Sequence, residues 1–134
     1  WALPPPHSGA GFVCFVLSLI ATIALAAAIT NLMHVALIWT LSGRGFNVLM
    51  IGVVTVFSGL VVPLPLFPDA LQPFLYWQPF RGLADVPFRI YSGHIAPHAA
   101  VFEIVLQFAW AGVIVLGGYA LMAYAKSRVV VQGG

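Results

Sequence analysis

Charge is what this sequence has least of. Only 6% of its 134 residues are Asp, Glu, Lys or Arg, against roughly 25% in a soluble globular domain. A folded surface cannot be kept wet by so few charges, so lipid is the expected solvent for most of the chain. No charge lies between Trp1 and Arg44, between Arg44 and Asp69, or between Glu103 and Lys126. Each gap is long enough for the about 20 apolar residues that carry a helix across the hydrocarbon. The basic residues form no cluster that would hold phosphates, which argues against nucleic acid as a partner. The single cysteine, Cys14, excludes an internal disulfide and a thiolate metal pattern. No G-x-x-x-x-G-K-[ST] loop occurs, so ATP is not expected to bind this chain. No Ser/His/Asp constellation stands out, since Ser58 before Gly59 has no base in view. We therefore expect no catalytic site, cofactor or metal. Position 1 is Trp rather than Met and no cleavable signal pattern follows it, so the chain is expected to be processed or split from a longer parent.

What is abundant is apolar surface: 62% of residues are hydrophobic and the mean hydropathy is +1.05. The expected fold class is all-α, a polytopic membrane protein with three transmembrane helices. Residues 1–11, with Pro4-Pro5-Pro6 and two glycines, read as an external loop. The first span is expected over 12–38, a cytoplasmic turn over 39–45, the second span over 46–62, and the third over 99–125 with a tail at 126–134. Three crossings put Arg44, Lys126 and Arg128 on one side and Arg81 and Arg89 on the other, which favours the Arg44 side as cytoplasmic. Lys126 and Arg128 then serve as anchors, or as a contact for a partner. Thr55 and Gly59 form a small-xxx-small pair of the kind that packs helices closely in lipid.

The stretch 63–98, between the second and third spans, is rich in proline and aromatics yet still apolar. A plain external loop would be more polar, so short re-entrant or interfacial helices are expected there. Pro68 is expected in the first turn of a helix over 69–77, with Asp69 complementing its dipole and Pro79 ending it. A second piece should start near Phe80. In it Arg81, Asp85 and Arg89 recur at four-residue spacing and would stack on one face, although Pro87 is expected to distort that helix. An aromatic belt that anchors the chain at the interface accounts for Phe74, Tyr76, Trp77, Phe80, Phe88 and Tyr91 equally well. The sharper alternative is a folded external cap, shaped by Gly59, Pro63, Pro68, Pro79, Phe80 and Gly93 and carrying Arg81, Asp85 and Arg89.

Within the spans the candidate polar residues are Glu103, Gln107 and His34. Glu103 is the only carboxylate in a span, with Gln107 and Trp110 following on the same face. Such a residue is by default a functional candidate, for pairing or an interfacial role, or for substrate or protons. His34 joins Thr30 and Asn31 in a polar stripe late in the first span. His94 and His98 flank Pro97 and are not expected to share a helical face, so haem or metal ligation is not expected.

Several motifs, taken in order, resemble the C-terminal half of an ABC-2 type transporter permease, in the bacterial branch that pairs a six-span permease with a separate ATPase. They are F-S-G-L-V-V-P-L-P-L-F-P at 57–68, W-Q-P-F-R at 77–81, V-P-F-R-I-Y-S-G at 86–93, Trp110, and V-V-V-Q-G-G at 129–134. The resemblance runs from about Thr30 to Gly134. It implies three further spans upstream of Trp1, a second permease copy or paralogue, and an ABC ATPase subunit that holds ATP and magnesium. It also implies export across the bacterial inner membrane of a hydrophobic or amphipathic substrate. The alternative is a small three-span accessory subunit of a membrane complex.

Overall fold

A computed structural model describes residues 8–40 and 42–132, with side chains described as far as Arg128. The described residues form helices, 3-10 turns and short connections, with no strand among them. Helix α1 spans Gly9–Leu37. Its start is set by Ser8, whose Oγ accepts a hydrogen bond from Gly11 N at 3.0 Å, satisfying one of the free donors of the first turn. The helix thus begins inside the stretch expected to be an external loop; residues 1–7 of that loop lie outside the described residues. A short turn leads to α2, Gly43–Phe57. The connection is tighter than the expected 39–45, and its Leu41 lies outside the described residues.

Helix α2 stops at Phe57, short of the expected end at 62. Gly59 takes a left-handed conformation, φ 81°, which terminates a helix and is open to glycine without the Cβ clash other residues meet. Gly59 therefore lies beyond the helix, and the expected small-xxx-small pair with Thr55 shares no helical face. Thr55 Oγ1 instead donates to Ile51 O within its own helix, at 2.6 Å. At 15 residues, α2 rises about 22 Å.

Two short helices follow, α3 (Gln72–Trp77) and α4 (Asp85–Tyr91). The last helix, α5, runs Pro97–Gln132. Pro97 opens it at a position where its missing N–H costs nothing. Helical winding continues through Lys126 and Arg128, which were expected in a tail, and Gly133 and Gly134 lie outside the described residues.

Helices α1 and α5 lie side by side and run in the same direction. Cys14 Sγ meets Pro97 O at 3.8 Å near their starts, Ser18 meets Gln107 further along, and Trp39 stacks on Tyr124 at 5.5 Å beyond the end of α1. Helix α2 provides the return path, so the segment between α2 and α5 sits at the N-terminal ends of both long helices. Two hydrophobic clusters fill the space between them, one around Ala21, Val86, Ile90 and Ile104 and one around Leu25, Ala28, Ile29 and Ala111.

Two helices, α1 and the stretch Pro97–Arg128 of α5, are long and apolar enough to cross a membrane, and α2 is apolar but shorter. Only 28% of the most apolar window of each long helix is buried. The core helix of a soluble protein would be mostly buried. Here Phe12, Ile20, Ile23, Val105 and Leu116 point outward instead, giving the apolar outer surface that lipid favours over water.

Candidate functional site

The segment between α2 and α5 folds as a chain of tight turns. A 3-10 turn, Leu64–Leu66, follows Pro63. Pro68, extended at ψ 143°, sits just before the next turn rather than inside it. From there Asp69–Leu71 winds as 3-10 and passes into α3. Gln72 ties the two turns together, its Nε2 donating to Leu64 O at 3.0 Å and Phe67 O at 2.9 Å. Gln78 is extended, as a residue before proline prefers to be, and this ends α3. Pro79 then opens a 3-10 turn, Pro79–Leu83.

The expected single piece after Phe80 is two elements. Ala84, at φ −137° and ψ −54°, separates that turn from α4. Pro87 has no N–H to give the Leu83 carbonyl, as a continuous helix would require, so the expected distortion takes the form of this break. Pro87 itself sits in the first turn of α4, where no intrahelical donor is needed. Gly93 closes α4 in the left-handed region, φ 79°. Despite the break, Arg81, Asp85 and Arg89 meet. Arg81 Nε lies 3.1 Å from Asp85 Oδ2, and Arg89 Nη1 lies 3.8 Å from the same oxygen.

Arg81 is the centre of the site. It is 5% exposed, and Glu103 on α5 is 6% exposed. The guanidinium grips that carboxylate with both ends: Nη1 donates to Oε2 at 2.9 Å and Nη2 to Oε1 at 3.1 Å. Such bidentate, charge-assisted pairs are among the strongest hydrogen-bonded contacts in proteins. The guanidinium carbon also lies 4.5 Å from the centre of the Tyr76 ring, a cation–π contact. Both oxygens of the Glu103 carboxylate are thus engaged by this one partner.

One turn deeper, Gln107 does the same work with neutral groups. Its Nε2 donates to Gly82 O at 2.7 Å and to Thr22 Oγ1 at 3.2 Å, while its Oε1 accepts from Ser18 Oγ at 3.0 Å. Thr22 Oγ1 donates to the same Gly82 carbonyl at 2.9 Å. A single backbone carbonyl is thereby held from both long helices. Gly82 permits the approach, since a Cβ there would stand 2.8 Å from Leu25 Cδ2 and 3.0 Å from Gln107 Cγ. Gln107 lies ten residues into α5, about 15 Å along the axis, and Thr22 about 20 Å along α1. The turn at 79–83 therefore reaches well down between the long helices.

The other expected residues are spread out. Phe80 packs against the Leu25 cluster. Pro63 and Pro68 are exposed at the outer edge, and Gly59 and Gly93 end α2 and α4. Arg89 lines a cleft of about 370 Å³ together with Asp69, Gln72, Tyr76, Arg81 and Asp85. His34 is far from the cap. Its Nδ1 hydrogen-bonds with Thr30 O at 2.8 Å, and it lines a separate cleft between α1 and α2. His94 pairs with Ser92 Oγ at 2.8 Å.

Sequence reasoning missed Ser18, Thr22, Gln78 and Gly82. Ser18 and Thr22 repeat on α1 the four-residue spacing of Glu103 and Gln107 on α5. Two polar pairs of equal spacing inside apolar runs were a readable signal. Gln78 had no such signal, yet it bridges α2 to the cap, its Nε2 donating to Phe57 O at 2.8 Å and its Oε1 accepting from Phe80 N at 2.7 Å. No family model, curated protein or solved structure matches this chain.

Proposed function

We propose that this chain is the C-terminal half of the membrane permease of an ATP-driven exporter of the ABC-2 type. In this reading α1, α2 and α5 cross the bacterial inner membrane. The stretch 63–98 is a re-entrant cap on the external side, and Arg44, Lys126 and Arg128 face the cytoplasm. A partner ABC ATPase holds ATP and magnesium, and a second permease copy or paralogue completes the pathway. The chain itself carries no catalytic role.

The observation that carries the reading is the buried hold on the cap. A generic interfacial loop has no reason to send an arginine inward to a carboxylate on a long apolar helix. A cap that must keep its shape over a pathway does, because removing either partner would strand a charge. In this reading irregular backbone at membrane depth is buried in protein and hydrogen-bonded, as it must be away from water.

The test joins genetics to purification. The reading frame upstream of Trp1 should encode further apolar spans, and the tagged full-length product should co-purify with an ATPase whose turnover it alters. Purification without an ATPase, as a subunit of some other membrane complex, overturns the reading.

A further inference from the structure

We propose that the cleft between α1 and α2 binds an uncharged amphiphile: a hydroxyl- or amide-headed molecule with an alkyl or alicyclic body. Resting on the exporter reading above, this names the class of substrate the permease carries.

The cleft has a volume of about 360 Å³, within the range of small-molecule sites. Four polar side chains line it, Thr30 and His34 from α1 and Asn47 and Thr55 from α2. They are not equivalent. Thr55 Oγ1 is spent on Ile51 O. His34 is oriented by its Nδ1 contact with Thr30 O, which leaves Nε2 as its second hydrogen-bonding atom. The Asn47 side-chain amide makes no hydrogen bond to the described residues. A side-chain amide without a protein partner can both donate and accept, and a ligand that does both would match it.

Position adds a direction. His34 lies three residues before the end of α1 and Asn47 four residues after the start of α2. Both therefore face the Arg44 end of the helix pair, with Thr30 and Thr55 deeper. At the same depths the rest of the wall includes Ile29, Met33 and Val54. These three also wall a second cleft of about 370 Å³, completed by apolar groups such as Phe46, Met50 and Phe80. A polar head is thus received among Thr30, His34 and Asn47, and an apolar body alongside it in the adjoining cleft. No lining residue of either cleft is charged, so an ionic head would enter without a counter-charge, which is expensive at membrane depth.

Photolabelling of the full-length permease in lipid nanodiscs tests this. The probe is hexadecanol with a mid-chain diazirine, compared with the matching carboxylate and trimethylammonium probes. The alcohol should label 29–55 in preference to the outward positions Val105 and Leu116 of α5, and unlabelled hexadecanol should compete. His34→Leu with Asn47→Leu should lower cleft labelling about fivefold, the scale of one net hydrogen bond, while Asn47→Gln retains it. Both residues are exposed, and an unchanged melting temperature would confirm that the variant folds. Even labelling of α1, α2 and α5, or equal labelling by the charged probes, overturns the proposal. Cleft labelling without a co-purifying ATPase would sink the exporter reading while leaving the binding site standing; ATPase coupling without selective labelling would do the reverse.

Discussion

Helices α1 and α2 are both apolar, yet they are held in opposite ways. α1 buries Ser18, Ala21, Leu25, Ala28, Ile29 and Val35, whereas α2 buries none of its residues. The difference lies less in hydrophobicity than in what each helix offers its neighbours. The packed face of α1 carries small and hydroxyl side chains, and α5 meets it with Ala100, Gln107 and Ala111. Close approach and hydrogen bonding are what join helices where lipid is as apolar as leucine. Helix α2 presents Val48, Leu49 and Ile51 outward and is fastened at one end. There Phe57 O accepts from Gln78 Nε2 and Ser58 O accepts from Asp85 N at 3.1 Å. The molecule is thus a clamped unit of α1, cap and α5, with α2 pinned to it at the cap.

Five substitutions, one of them made on top of Arg81→Met, break or sharpen that contrast, read as thermal or denaturant unfolding of the purified protein. Arg81→Met should have the largest effect, about 3–5 kcal/mol, because Glu103 is left buried without its partner. Adding Glu103→Leu should recover much of that loss, and failure to recover would mean that Arg81 matters mainly through Asp85 and Tyr76. Gly82→Ala comes next, at about 1–3 kcal/mol, because the new methyl must displace Leu25 or Gln107 from a packed site. Gly59→Ala should cost about 1–2 kcal/mol through its left-handed backbone, loosening the α2 end of the cap. Leu49→Ala should change stability by less than about 0.5 kcal/mol, since Leu49 is 68% exposed. A loss at Leu49 as large as that at Gly82 would show that α2 is packed against something in the assembled protein, and the contrast between the two helices would fall.

Much of this was legible beforehand. The apolar runs marked α1 and α5, and prolines and glycines placed the short helices of the cap to within a few residues. The reach of α2 was misjudged because Leu60, Val61 and Val62 look like a continuation of the span. The backbone reversal at Gly59 outweighs their hydrophobicity. Glu103 and Gln107 were recognised as candidates, but their partners were not. The i, i+4 stacking of Arg81 on Asp85 was visible, while the stronger bond of Arg81 to Glu103 joins residues 22 positions apart.

By itself the sequence determined where helices could run and where they must stop. Those choices depend on neighbouring residues: uncharged stretches, a serine cap, glycines free to take positive φ, prolines without a donor. Only the tertiary structure decided that α1 and α5 lie side by side and that one glycine carbonyl is held from both. It also decided that an arginine from the cap is spent on a carboxylate inside the helix pair. A buried polar group has to find a partner, but which partner depends on which elements pack together, and that is a property of the whole fold.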